Sequence, residues 1–314
     1  MAEAAKIGLK HRFCVVVQTS ERLFSPTNSW VKKIRNLGIP IAVKNRLGKN
    51  DRADKSKKSD DIGFSFGAPW FFKKKWITNW KGKLYNCHNR ALPAHRGAGG
   101  SSWLIMMGDK NGASTIHQID SGLDSGPIIA QSKYKLPKKV KTPGEIDKYI
   151  ESKGKTFLKK ALPKLLKNKF KKKPQLSVHS SYWPRLNTQV HGWIDWSWSR
   201  KHIERFCRAF GVPYEGAKTF FRGNQIKILE IKVKNKKKQE FHPFQTGLIF
   251  RIYNNTLWVA HPEGPIQIKK WKTISGEKPK CGDRLYTPWK ILENAKLSKI
   301  IYTPSGKIKN ITKK

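Results

Sequence analysis

Acidic residues are scarce in this 314-residue chain: 21 Asp+Glu stand against 65 Lys+Arg, a formal charge of +44. Cysteine is scarcer still. The four present, Cys14, Cys87, Cys207 and Cys281, form no C-x-x-C pair. That excludes a disulfide framework and the common zinc spacings, and it makes a reducing cytoplasm the expected compartment. Long hydrophobic runs are missing too, and a membrane span needs about 18 apolar residues. The apolar run at 13–17, Phe-Cys-Val-Val-Val, is shorter than the roughly 7–15 residues of a signal-peptide core, which speaks against export by that route.

What the chain does have is aromatic weight. Twelve Trp and fifteen Phe supply the bulk for a packed core, so the charge does not belong to a disordered basic chain. The basic residues are 51 Lys and only 14 Arg, spread along the whole length. Bidentate phosphate or base recognition leans on Arg. The charge therefore predicts attraction to anions, while a lysine-rich coding bias explains it equally well.

The length suggests two domains. In the first, short apolar runs at 13–17, 39–43, 62–66, 84–88 and 113–119 read as strands, with helices at 31–37 and 101–107. Residues 45–60 are polar and read as a loop. This alternation predicts an α/β, Rossmann-like parallel sheet. Sixteen lysines between 133 and 173 sit among Ile, Leu and Phe at helical spacing. They predict an amphipathic helix within 143–168, ended or kinked by Pro163. In the second unit a helix capped by Asp195 or Ser197 runs to Gly211, and five short strands follow between 219 and 268. One helix and five strands suit a small OB-like barrel. The expected division is 1–180 catalytic domain, 181–191 linker, 192–290 OB-like domain and 291–314 a basic tail, expected to fray from Lys296.

One region carries chemistry. Asn86-Cys-His88 is followed by Leu92-Pro93 and Arg96-Gly97, then by Gly112-Ala-Ser-Thr-Ile-His117-Gln-Ile-Asp120-Ser-Gly-Leu-Asp124-Ser-Gly126. Residues two apart on a strand share a face, so Asn86 and His88 project together at a strand end, where open α/β sheets place their sites. Asp124, in a Gly-flanked loop, can fold back to the imidazole. Amide donor, imidazole and carboxylate suit acyl transfer: the amide holds an oxyanion, the ring donates or shuttles a proton, the carboxylate orients the ring and accepts a proton. Each residue also has a plain reading, the His as a packed strand-end residue and the Asp as a turn former. His88, His95, His117, Asp120 and Asp124 could be metal ligands, but their spacing fits no zinc pattern, and no metal is expected.

Together these blocks resemble the folate-dependent formyltransferase family, which includes methionyl-tRNA formyltransferase and nucleotide-amino-sugar N-formyltransferases. The resemblance lies in Asn-x-His, Leu-Pro, Arg-Gly and the Gly112–Gly126 block. It continues in Tyr182-Trp-Pro-Arg185, Ile194-Asp-Trp196, Arg208-Ala209 and Pro213-Tyr-Glu-Gly-Ala217, spanning about residues 60–285. It implies 10-formyltetrahydrofolate as donor, Asn86 and His88 on the formyl oxyanion, and Asp124 orienting His88 and managing the amine's proton. It further implies that Trp70, Phe72, Asp120 and Leu123 border the pteridine. Thr27-Asn-Ser-Trp30 and Arg96-Gly-Ala-Gly-Gly-Ser-Ser-Trp103 are more similar to the sugar-modifying branch, and no Gly-Thr-Pro-Glu-Phe loop follows Val17. The expected acceptor is thus a nucleotide-linked amino sugar, with Trp103, Arg90 and Tyr182–Arg185 near the cleft. Aminoacyl-tRNA is the alternative. Hydrolysis of the same donor and a non-catalytic RNA-binding role are further ones.

Overall fold

The computed structural model describes residues 15–18, 36, 41–44, 62–68, 72–98, 100–233, 240–302 and 308–309. Two of the strands read from the N-terminal sequence pair in parallel: β1 (Val15–Gln18) with β2 (Ile41–Lys44). The 45–60 loop, Thr27–Trp30, and all of the 31–37 helix but Asn36 lie outside the described residues.

A four-stranded sheet holds β3 (Gly63–Phe66), β4 (Leu84–His88), β6 (Asn111–Gln118) and β7 (Ile128–Lys135), in that order. The expected parallel sheet is corrected here. Only β3 and β4 run parallel; β6 is antiparallel to β4, and β7 to β6. The link from β6 to β7 is short and carries no helix, which suits an antiparallel return. Sequence pattern missed β7 because its alternation is diluted by lysine and glutamine. It also missed the short helix α1 (Lys74–Asn79). Between β4 and β6 lie β5 (Arg96–Gly97) and α2 (Ser101–Met107), which ends at left-handed Gly108.

Helix α3 (Pro143–Leu166) starts where the proline and a capping box put it: Glu145 N–H donates to Thr142 Oγ1, and Glu145 Oε2 accepts from Thr142 N–H. Pro163 lies inside the helix, so it does not end it at that point. Ile146, Ile150, Leu162 and Leu165 form its buried stripe, each worth about 1.5–3 kcal/mol when fully buried, and the lysines take the opposite face. Leu165 joins Tyr85 and Ile116 in a core against the sheet.

The expected linker is structured. Within it β8 (Tyr182–Trp183) pairs with β5, and α4 (Thr188–His191) follows. Helix α5 (Arg200–Ala209) is capped by Ser199, not by Asp195 or Ser197; Asp195 instead closes the turn before it through Ser197. Then come β9 (Ala217–Phe221), β10 (Asn224–Val233), β11 (Ile249–Tyr253), β12 (Thr256–Val259) and β13 (Ile266–Thr273) in one antiparallel sheet ordered β11-β12-β13-β10-β9. Among the described residues the strand ladder does not close into a barrel. The expected fraying does not begin at Lys296: that residue lies in α6 (Trp289–Leu297), and its ammonium lies 3.4 Å from Asp195. Beyond it, β14 (Ile301–Tyr302) pairs with β15 (Ile308–Lys309). One buried cluster runs from Leu104 and Ile105 on α2 through Ile203 and Phe206 on α5 to Ile226, Leu257 and Ile268. Among the described residues no helix is long and apolar enough to cross a membrane.

Candidate active site

Asn86 and His88 lie on one face of β4, as the two-residue spacing requires. The antiparallel register of β6 sets His117 directly opposite Asn86, and Thr115 opposite His88. Asp124 sits in the loop after β6 with φ +51°, a left-handed backbone held by its surroundings. Its carboxylate turns back onto the sheet face. Oδ1 lies 3.3 Å from His117 Nε2 and 3.4 Å from Asn86 Nδ2, while Oδ2 lies 3.8 Å from His88 Nδ1. The three residues singled out from sequence are therefore neighbours.

The tautomers follow from the carbonyls around them. His88 Nε2–H donates to the His95 carbonyl at 2.7 Å, so a neutral ring leaves the Nδ1 lone pair facing Asp124. His117 Nδ1 lies 2.9 Å from the Gln118 carbonyl, and its Nε2 stands between the Asn86 amide nitrogen at 3.1 Å and Asp124 Oδ1 at 3.3 Å, where an N–H can donate to the carboxylate. Burial holds the His88 pKa below its usual 6.5, opposed by the Asp124 charge and the bond to His95. Burial also works to raise the Asp124 pKa. The His117 hydrogen bond, the charge of His88 and the Gly97 N–H outweigh it, and the carboxyl stays below its ordinary range. Both groups thus rest at neutral pH in the states a proton acceptor needs: free Nδ1 and ionised carboxylate.

Cys87 points to the opposite side of β4, and burial pushes its thiol up to about 12. It is a neutral packing residue, so this site offers no thiolate nucleophile.

Sequence reasoning missed the groups that fix the loop. Gly97 N–H donates to Asp124 Oδ2 at 2.8 Å. Gln175 Nε2 donates to the carbonyls of Asp124 and Gly126 at 2.9 and 2.7 Å, while its Oε1 accepts two bonds from Arg96. Nothing near Gln175 in sequence marks it. His117 had a signal: it lies two residues after Thr115 in the same block, on the same strand face.

The remaining site expectations separate. Asp120 Oδ1 accepts from Gly122 N–H and Ser125 Oγ, closing its own turn. Leu123, half-buried, lies in that turn. Phe72 packs on Trp76 with ring centres 6.2 Å apart, and Trp70 lies outside the described residues. Arg90 offers no guanidinium to a cleft: it is 4% exposed and donates to the Asn89 carbonyl. Read as metal ligands, the five residues do not converge, because the His95 ring stacks on Trp183 and Asp120 is tied into its turn. Among the described residues no three His, Cys, Asp or Glu side chains stand where they could hold a metal ion.

Residues 70–162 match the family model "Formyl transferase" and residues 187–283 match "Formyl transferase, C-terminal domain", together more than half of the chain. The methionyl-tRNA formyltransferase of Carboxydothermus hydrogenoformans is 33% identical over 194 residues, covering 62% of this chain and 60% of that protein. That of Alkaliphilus oremlandii is 29% identical over 212 residues, 68% of this chain and 66% of the relative. The chain spans about three fifths of the length of the curated relatives it matches. Two solved structures share the fold. WlaRD, a sugar 3N-formyl transferase in the presence of dTDP and 5-N-formyl-THF, is 21% identical at a TM-score of 0.62, covering 88% of this chain and 94% of that one. The N-formyltransferase from Helicobacter canadensis, in complex with folinic acid and dTDP-3-aminofucose, is 20% identical at a TM-score of 0.65, covering 85% and 94%. With models of both halves of one family matched in order along its length, the chain belongs to the formyl transferase family.

Proposed function

We propose that this protein transfers a formyl group from 10-formyltetrahydrofolate to a primary amine, and that the amine belongs to a nucleotide-linked amino sugar. The observation that carries the reaction type is the convergence of Asn86, His88 and Asp124, with the Asp124 carboxylate within 3.8 Å of both partners. When bound, the donor supplies a formyl carbonyl open to attack by an amine. An Asn86 N–H stabilises the negative charge that develops on the formyl oxygen, exchanging its long 3.4 Å contact with Asp124 for that oxygen. His88 Nδ1 and Asp124 Oδ2, 3.8 Å apart, are the two acceptors for the amine's proton. Once protonated, Nδ1 becomes a second donor to the oxyanion; as the formyl carbon–nitrogen bond to the donor breaks, that proton passes to the departing nitrogen and tetrahydrofolate is released. The donor's flat ring fits against Phe72, half-buried Leu123 and the Asp120 turn, whose carboxylate is already held in place. Trp70 belongs to the same proposed wall.

The domain division stays part of this reading: a Rossmann-like catalytic domain over 1–180, a connecting stretch over 181–191, an OB-like domain over 192–290 and a basic segment over 291–314. The limits of the two family matches, 70–162 and 187–283, support it. In favour of the OB-like form, residues 282–286 bond both edges of the second sheet. Leu285 N–H donates to the Gly247 carbonyl just ahead of β11, and Tyr286 N–H to the Phe220 carbonyl on β9. A reducing, cytoplasmic setting accords with the free thiols of Cys87, Cys207 and Cys281.

A second reading, methionyl-tRNA as acceptor, is favoured by the relatives from Carboxydothermus and Alkaliphilus. The test is tetrahydrofolate release with methionyl-tRNA and a nucleotide-linked 4-amino sugar side by side, at two salt concentrations. A tRNA contacting 6–10 phosphates loses roughly 10³–10⁵ in affinity between 50 and 200 mM salt, and a diphosphate sugar far less. Efficient formylation of the tRNA with every sugar inert overturns the choice of acceptor. Full-rate formate release without any amine overturns the transfer reaction itself.

A further inference from the structure

Trp103 and Met107 stand four residues apart on α2 and so share one face of that helix. Across from them, β8 carries Trp183, seated by its pairing with Gly97 on β5. With His95, Leu104 and Asp109 these residues line a cavity of about 220 Å³. Its walls are aromatic: the Trp103 and Trp183 rings meet edge to face at 5.2 Å, and the His95 ring stacks on Trp183 at 5.2 Å and 29°.

Both indole N–H groups are already spent inside the protein. Trp103 Nε1 donates to the Pro184 carbonyl at 2.8 Å, and Trp183 Nε1 to Ser181 Oγ at 2.8 Å and the Ala94 carbonyl at 3.1 Å. What the two tryptophans can offer a ligand is therefore their π surface, not a hydrogen bond. The volume falls below the roughly 300–1,000 Å³ of a whole small-molecule site, so the cavity suits one ring of a larger ligand. It is also one residue away from the reaction centre. The His95 carbonyl receives the His88 Nε2–H, and Gly97, paired with Trp183, donates to Asp124.

We propose that this cavity seats the planar base of the acceptor's nucleotide; the inference rests on the nucleotide-sugar reading above. A base has two apolar faces for the tryptophan corner, and its edge N–H can meet Asp109 Oδ2, since Oδ1 is already taken by the main-chain and side-chain N–H groups of Asn111. The base anchors the acceptor, and the 95–97 segment carries the anchor's position to His88 and Asp124.

The test is calorimetric titration of the full chain with dTDP, with UDP and, separately, with 5-formyltetrahydrofolate. The proteins are wild type, Trp103→Ala, Trp103→Phe and Met107→Glu. Met107 is 59% exposed, so its substitution tests the cavity in a variant that folds without repacking a core. Stacking of one base on an aromatic ring is worth about 1–3 kcal/mol. Trp103→Ala is therefore expected to weaken dTDP and UDP roughly 5–150-fold, with the Phe variant close to wild type. Met107→Glu weakens them as well, and folate binding stays the same in all four. In turnover the KM for the amino sugar rises by the same factor while kcat holds. Nucleotide binding untouched by Trp103→Ala and Met107→Glu overturns the cavity assignment while leaving the sugar reading in place, as does a loss confined to folate. A wild-type protein that binds folate and formylates methionyl-tRNA, yet binds neither nucleotide, overturns both.

Discussion

The backbone N–H of Gly97 donates to Oδ2 of Asp124 at 2.8 Å, across 27 residues of sequence. This bond ties the loop after β6 to β5, and β5 in turn is paired with β8. It also supplies part of what keeps the Asp124 carboxyl ionised against its burial. The site's proton acceptor is thus set by a main-chain group that any residue identity scan passes over.

Asp124→Ala removes the carboxylate that faces Asn86, His88 and His117 at once. Turnover is expected to fall by about 10²–10⁴, the range for lost acid–base work, with 5-formyltetrahydrofolate binding retained. Unimpaired single-turnover transfer in the purified variant would remove Asp124 from the chemistry.

The pH dependence has a definite sign. The proposed mechanism needs neutral His88, whose pKa burial pushes below 6.5, so the rate of the wild-type protein is expected to decline only on the acid side of that value. The Asp124 charge holds the His88 pKa up against burial. Asp124→Asn removes that charge, so the His88 titration followed by NMR moves to still lower pH. Movement to higher pH contradicts this electrostatic account.

Gly97 has φ +90°, and a Cβ there would come within 2.8 Å of the Trp183 carbonyl oxygen. Gly97→Ala is therefore strained in backbone and in space, at a cost of about 1–3 kcal/mol. Denaturant unfolding should show that loss, and turnover should fall beyond it because the Asp124 contact is displaced. A variant as stable and active as the parent shows that β5 can shift without disturbing the site.

Gln175→Ala breaks the bonds to the Asp124 and Gly126 carbonyls and releases Arg96. At about 0.5–1.5 kcal/mol per net hydrogen bond, the two carbonyl bonds predict a loss of about 1–3 kcal/mol in stability. If the Asp120–Leu123 turn borders the donor, the KM for the folate rises more than kcat falls. A change in kcat alone assigns Gln175 to the positioning of Asp124 instead.

Much of this protein was legible from local pattern. The helix start at Pro143, the strand at 84–88 and all five strands of the second sheet follow from periodicity and capping chemistry, which act over a few residues. Asn86, His88 and Asp124 stood out because their spacing on a strand and in a Gly-flanked loop is itself a sequence property, and so did the family resemblance. Strand direction was not legible. An apolar run looks the same whichever way its neighbour runs, so the antiparallel β6, and with it the placing of His117 beside Asn86, came from long-range pairing alone. Gln175 and the Gly97 N–H belong to the same class, since one is an ordinary polar residue and the other a main-chain group. Trp103 and Trp183 are plainly visible in the sequence as aromatics. Only the docking of β8 against β5 brings their rings together beside the reaction centre. Local sequence determines which side chains a segment offers and which face they take; the tertiary fold decides which of them meet, because such meetings join segments as far as 81 and 101 residues apart.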